Sequence, residues 1–278
     1  MKFRFLGTAA AEAWPALFCN CPQCVKARQR GGRDIRTRSQ SMLDEHILID
    51  FPCDTYKHAL DNNLDLSAVD LLLITHGHSD HMYPCDLGLR HAPYGHNPTV
   101  PELHIASGHS ALERMKKTWE LFGESVSTLV LHELHAFEPF EYNGTRVIPI
   151  PAYHMLTDDA FCYSIETGGK RILYLHDTGE RIKAQLDKLS AYCTGTYDLV
   201  SYDCCYCTNE ASEDNGHMGL ANDIRVHDCL ASLGLIDAHT LEVVNHFSHN
   251  IPAMYDDISE KAILARMRCS FDGMTVDI

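Results

Sequence analysis

Basic side chains are scarce in this sequence, and so are long apolar runs. Of 278 residues, 23 are Lys or Arg against 38 Asp or Glu, a formal charge of -15. A polyanion such as RNA or DNA needs a basic surface that displaces counterions from phosphate, so a long nucleic acid is not expected as a partner. No apolar run reaches the length of a membrane helix or of the core of a signal peptide, so the chain reads as cytoplasmic, with no membrane partner. Low-complexity linkers and short-period repeats are missing too, and a single domain over residues 1–278 is expected.

Cysteine and histidine are plentiful, with 12 and 18 copies. In a long chain with no secretion signal, this points to reduced thiols, some of them metal ligands, rather than to disulfides. Bound divalent ions would also make one cleft of an acidic protein locally positive, so a small phosphorylated substrate stays compatible with the charge.

Short apolar runs bounded by turn residues predict strands at the N-terminal 1–7 and at 46–51, 69–75, 103–106, 127–131, 146–150, 161–166, 171–175, 199–202 and 241–245. Helical stripes run through 110–122, with Ser110 as N-cap and Leu112, Met115 and Trp119 on one face, and through 222–233. The loops 92–101 and 204–219 are long and polar enough to be functional surfaces.

The run at 68–75 is nearly all apolar, as a strand buried on both faces would be, and it leads directly into His76-Gly77-His78-Ser79-Asp80-His81. Four ligand-type side chains within six residues suit an irregular turn that aims alternate groups at two neighbouring ions. Imidazole with carboxylate favours zinc, manganese or iron. A second cluster, Cys19, Cys21 and Cys24, has the spacing of three corners of a tetrahedral zinc site, with His249 as a candidate fourth corner; small buried thiols are the plain alternative. His217, in the late polar loop, is a candidate acid or phosphate donor near neutral pH. Cys204, Cys205 and Cys207 could form another metal or redox site, but adjacent cysteines on an extended segment point to opposite faces, which favours ordinary thiols; His132-Glu133-Leu134-His135 reads as strand and turn.

The His76-x-His78-x-Asp80-His81 motif resembles the signature of the metallo-β-lactamase superfamily. That resemblance implies an α/β fold, the four-layer αβ/βα sandwich, and a two-metal site. It assigns His76, His78 and His154 to one ion and Asp80, His81 and His246 to the other, with Asp177 bridging. Gly7-Thr8, the cysteine cluster, His246-Phe247-Ser248-His249 and the ending Phe271-Asp272-Gly273-Met274 further resemble the PhnP-like phosphodiesterase branch. This likeness spans most of the chain.

The branch implies a hydroxide bridging two metals that opens a small, even cyclic, phosphodiester, with His217 and Asp80 catalytic, one structural zinc on Cys19, Cys21, Cys24 and His249, and a homodimer. Three departures stand out: Gly216 occupies the place of an Asn before His217, extra residues surround 92–101, and a Cys-Cys-Tyr-Cys run stands at Cys204 to Cys207. Rival readings are a lactonase or thioesterase, a tRNA-processing nuclease, and a ligand-retaining binding protein. A diiron redox protein of the superfamily would carry Glu where this chain has His78. The end of the chain, 270–274, is expected to be a closing hairpin.

Overall fold

A computed structural model describes residues 1–123, 127–154 and 159–278. The first sheet draws on β1 (Lys2–Gly7), β2 (Gln40–Leu43), β3 (Ile47–Ile49), β4 (Leu71–Leu73), β5 (Leu103–Ser107) and β6 (Leu129–Glu133). The second draws on β7 (Phe140–Tyr142), β8 (Thr145–Pro151), β9 (Phe161–Thr167), β10 (Lys170–Leu175), β11 (Leu199–Asp203) and β12 (Leu241–Asn245). The two last strands, β13 (Arg268–Cys269) and β14 (Met274–Asp277), divide between the sheets. The orders are β14-β1-β2-β3-β4-β5-β6 and β13-β12-β11-β10-β9-β8-β7. Each sheet has an antiparallel and a parallel part, with β3 to β6 and β10 to β13 running parallel.

The period of two in the buried strands builds the layers. Leu71 and Leu73 of β4 face Ile172 and Tyr174 of β10 in the core between the sheets. Their neighbours Leu72 and Ile74 point outward, onto Leu112, Met115 and Trp119 of a helix at His109–Phe122. On the far side, Leu173 and Leu175 meet Leu186, Val226, Leu230 and Ile258 from three further helices. Helix, sheet, sheet, helix is the four-layer αβ/βα sandwich, and no helix among the described residues is long and apolar enough to cross a membrane.

In chain order the helices are α1 (Pro22–Arg30), α2 (Thr55–Asn62), α3 (Pro84–Leu87), α4 (His109–Phe122), α5 (Lys183–Ser190), α6 (Leu220–Ser232) and α7 (Tyr255–Leu264). Two local expectations change. Ser110 is not the N-cap of α4: Gly108 is, and the Ser110 N–H instead donates to the Asp159 carboxylate at 3.0 Å. The chain end is not a hairpin, because β13 pairs with β12 while β14 pairs with β1, so the turn between them crosses from one sheet to the other. Asp272 anchors that crossing, accepting from Thr8 Oγ1 at 2.7 Å and from the Thr37 N–H at 2.6 Å. Strand β2 and helices α1, α2, α5 and α7 lack a long apolar signature and were not anticipated.

Candidate metal centre and active site

The ligand-type side chains converge where strands end. The loop after β4 carries His76, His78, Asp80 and His81, while β8, β10 and β12 are followed by His154, Asp177 and His246. Crevices outside the carboxyl ends of parallel strands are where open α/β sheets bind ligands. Asp177 and His246 have left-handed backbone at φ 50° and 63°, a conformation that disfavours side chains other than glycine by about 1–3 kcal/mol and concentrates at functional sites.

Three imidazoles form one group. His76 Nε2 lies 2.8 Å from His78 Nδ1, and His154 Nε2 lies 3.2 Å from the same atom. Nitrogens about 2.0–2.1 Å from a common zinc are separated by roughly 2.9–3.4 Å, so the second spacing lies within, and the first just short of, that of ligands around one ion. His154 Nδ1 donates to the Gly216 carbonyl at 3.1 Å, which fixes the tautomer and leaves Nε2 a lone pair for the centre. A Cβ at position 216 would come within 3.1 Å of that same Nδ1, a physical reason for glycine there.

Asp80, His81, Asp177 and His246, all buried, form the second group. His81 Nδ1 lies 2.6 Å from Asp50 Oδ2, and the other Asp50 oxygen accepts from Thr75 N and Oγ1, both at 2.8 Å. An acceptor-only carboxylate puts the hydrogen on Nδ1, so Nε2 presents its lone pair. That Nε2 approaches Asp177 Oδ2 at 2.5 Å and Asp80 Oδ2 at 3.2 Å. Even so, His81 Nε2 and Asp177 Oδ1 are buried polar atoms with no hydrogen-bond partner. Buried acceptors left without a hydrogen bond among other ligand-type atoms are what a cation satisfies, so this set fits a divalent metal.

Asp177 lies between the groups, with Oδ2 3.6 Å from His76 Nε2 and Oδ1 2.7 Å from His246 Nε2. Burial would raise its carboxyl, but the close His246 and His81 rings hold it well below the usual range, in the ionised form that ligates. Burial keeps His76 well below the usual imidazole value and hence neutral, the form that ligates.

His217 roofs this floor. Its ring stacks on that of His246, its Nδ1 sits 2.8 Å from Asp203 Oδ2 and 3.3 Å from Asp177 Oδ1, and it lines the cavity above the ligands. Burial pushes the imidazole down, but the Asp203 carboxylate, by charge and by hydrogen bond, and then Asp177, raise it to about 9. Asp203, the last residue of β11, is a functional group the sequence reading missed, although an Asp closing a buried strand was its signal. Asp50, closing β3, was missed in the same way. Asp203, Asp177, His217 and His246 also form a ligand-competent group, so His217 stands at the edge of the second site.

The cysteine cluster lies apart from the cavity floor. Cys21 Sγ and Cys19 Sγ are 3.5 and 3.8 Å from His249 Nδ1, and Cys24 completes the group. Bonds of about 2.3 Å to sulfur and 2.0 Å to nitrogen give a tetrahedral edge of roughly 3.5 Å, so this set fits one zinc. Each sulfur accepts one backbone N–H, from Cys21, Cys24 and Ala16, which offsets thiolate charge. Cys204, Cys205 and Cys207 belong to no such group among the described residues; burial drives all three thiols up and keeps them protonated. His132 and Glu133 lie in β6, with His135 past its end, as strand and turn require.

A model of the beta-lactamase superfamily domain matches residues 46–239, most of the chain. The chain belongs to the metallo-β-lactamase superfamily. It thereby falls in a class of metal-dependent hydrolases. No curated protein matches the sequence. Among solved structures, a diphosphatase of the PhnP family is 18% identical with a TM-score of 0.72, over 100% of this chain and 97% of that one. Zn2+-bound PqqB from Methylobacterium extorquens is 18% identical at TM-score 0.75, over 100% of both. Human tRNase Z, short form, is 17% identical at 0.63, over 100% of this chain and 99% of that one. At these identities the likeness is one of fold. The superfamily implies divalent metals, and the two groups at the strand ends are the residues that fit them.

Proposed function

We propose that this hydrolase is a phosphodiesterase acting on a small, even cyclic, phosphodiester. The observation that carries the reading is His217, held by Asp203 at the wall of a cavity of about 370 Å³ directly above the two ligand groups. His76, His78 and His154 would hold one ion and Asp80, His81 and His246 the other, with Asp177 between them. Such a pair supplies an activated water near neutral pH and neutralises charge on the phosphoryl oxygens. Cys19, Cys21, Cys24 and His249 would hold a structural zinc.

The protein's own groups then have distinct tasks. Asp203 takes the Nδ1 hydrogen of His217, so the opposite nitrogen, Nε2, is the one left to deliver a proton to the departing oxygen. Asp80 lines the same cavity, where its carboxylate can accept a hydrogen bond from the attacking water and aim it at phosphorus. A long RNA substrate is disfavoured by the charge of -15 and by a cavity lining without Lys or Arg among the described residues.

Leaving-group dependence tests the His217 role. In His217→Ala, alkyl diesters, whose alkoxide needs protonation, should lose about 10²–10⁴ in kcat, while p-nitrophenyl diesters, whose leaving group departs as the anion, should lose far less. Equal losses for both would contradict proton donation.

A further inference from the structure

The cavity lining also carries a carboxylate that the reaction does not use. Glu12, in the loop after β1, lines the cavity together with Ala10, Ala11, Ser248 and Asn250, and its side chain is 30% exposed. Both protein donors fall on one oxygen: Ser248 Oγ and Asn250 Nδ2 donate to Oε1, the latter at 3.2 Å. The Ser248 hydroxyl is itself held, accepting from Asn250 Nδ2 at 2.9 Å and from the Asn250 N–H at 3.2 Å. His249 Nε2 also approaches Oε1, at 3.7 Å. Oε2 has no hydrogen-bond partner among the described residues, so the network fixes the carboxylate and leaves an anionic acceptor free beside the cavity.

From this arrangement we infer that Glu12 sets specificity by accepting hydrogen bonds from the non-reacting arm of the substrate, which selects an uncharged arm bearing hydroxyl groups, such as a polyol, over an anionic one. The inference rests on the phosphodiesterase reading and adds the chemistry of the arm. A carboxylate accepts and cannot donate, so it pairs with hydroxyls and repels a second phosphate or a carboxylate. No Lys or Arg among the described lining residues offsets that repulsion, and the cationic groups there, His217 and the ions the two ligand groups would hold, serve the reacting phosphate instead. Small residues at positions 10 and 11 leave room for the arm.

The network also dictates what one substitution would do. In Glu12→Gln the amide oxygen would take the place of Oε1, because Ser248 and Asn250 both donate there, and the NH2 would stand where Oε2 was. The free end of the side chain would change from acceptor to donor while its anchor stayed in place.

Three diesters sharing the p-nitrophenyl leaving group test this, with arms derived from glycerol, propanol and 3-hydroxypropionate. For the metal-loaded wild type, kcat/KM for the glycerol arm should exceed that for the propyl arm by about ten- to a hundredfold, the range of a hydrogen bond to a charged group, with the carboxylate arm lowest. Glu12→Gln should narrow the glycerol preference, since its NH2 can still donate to a hydroxyl oxygen, and should lift the carboxylate arm above the propyl arm and at least tenfold relative to glycerol, with zinc per chain unchanged. The same ranking of arms in both proteins would overturn the inference. So would an equal fall for all three arms accompanied by loss of zinc, which would make Glu12 a support for His249. If the metal-loaded wild type cleaved none of the three, the phosphodiesterase reading would fail first and this inference with it.

Discussion

Individual residues at this site act through what holds them. Asp50 illustrates this: at the end of β3, with φ 66°, it bonds Thr75 through one oxygen and His81 through the other, and so decides which nitrogen of His81 faces the centre. His58 shows the same logic away from the site. Buried on α2, it lies 2.6 Å from Gln40 Oε1 and 2.6 Å from Thr37 Oγ1, whose hydroxyl is also bonded to Asp272. Burial lowers its imidazole to about 4, with a smaller push the same way from Lys57 and smaller opposing ones from Asp54 and Asp61. Between pH 6.5 and about 4 the unfolded chain therefore binds a proton that the native chain refuses. Stability from this group is complete above pH 6.5 and falls as pH drops toward 4, by up to about 3 kcal/mol. Denaturant titrations of wild type and His58→Gln across that range should diverge, with the variant losing less stability on acidification. Parallel curves would show that His58 does not set the slope.

At the scale of elements, the strands that deliver the ligands were the readable part of the sequence. The apolar run of β4 ending in His76 to His81 announces both a buried strand and a metal loop, and β12 with His246 repeats the pattern more quietly. Strand β2 was invisible because its Gln-Ser-Met-Leu is half polar, its glutamine being buried by bonds to the Asp50 carbonyl and Thr55 rather than by hydrophobicity. The crossing of the chain end from one sheet to the other could not be seen either, since an Asp-Gly turn looks alike whether the strands it joins pair with each other or with distant partners. Asp203 and Glu12 escaped because a lone carboxylate gains meaning only from the side chains that fold around it. Helix α1 was hidden for a related reason, its N-cap being a cysteine: Cys21 Sγ accepts from the Cys24 N–H at 3.4 Å while also facing His249. One residue thus ties the start of α1 to the loop after β12. Cys21→Ser should lower bound zinc by one per chain, leave the active-site metals, and cost roughly 3 kcal/mol, a melting shift of about 6–12 °C for a chain of this size. Unchanged zinc content by elemental analysis would show that the cluster is only a set of packed thiols.

For the molecule as a whole, two sheets with matching antiparallel and parallel parts meet so that the parallel strand ends open into one crevice, and the chain places its histidines and aspartates there. The net charge of -15 and the absence of Lys or Arg from the lining among the described residues leave bound cations as the principal attraction for an anionic substrate. Metal-dependent hydrolysis is therefore the most direct test of the account. The purified protein, after metal analysis, should be assayed on an aryl phosphodiester beside an aryl phosphomonoester, a lactone and a thioester, with and without chelator. The account predicts about three metals per chain, from a two-metal site plus one structural zinc, and chelator-sensitive turnover of the diester above all. Turnover of the lactone or thioester alone would contradict the phosphodiesterase reading while leaving the fold and the two ligand groups in place.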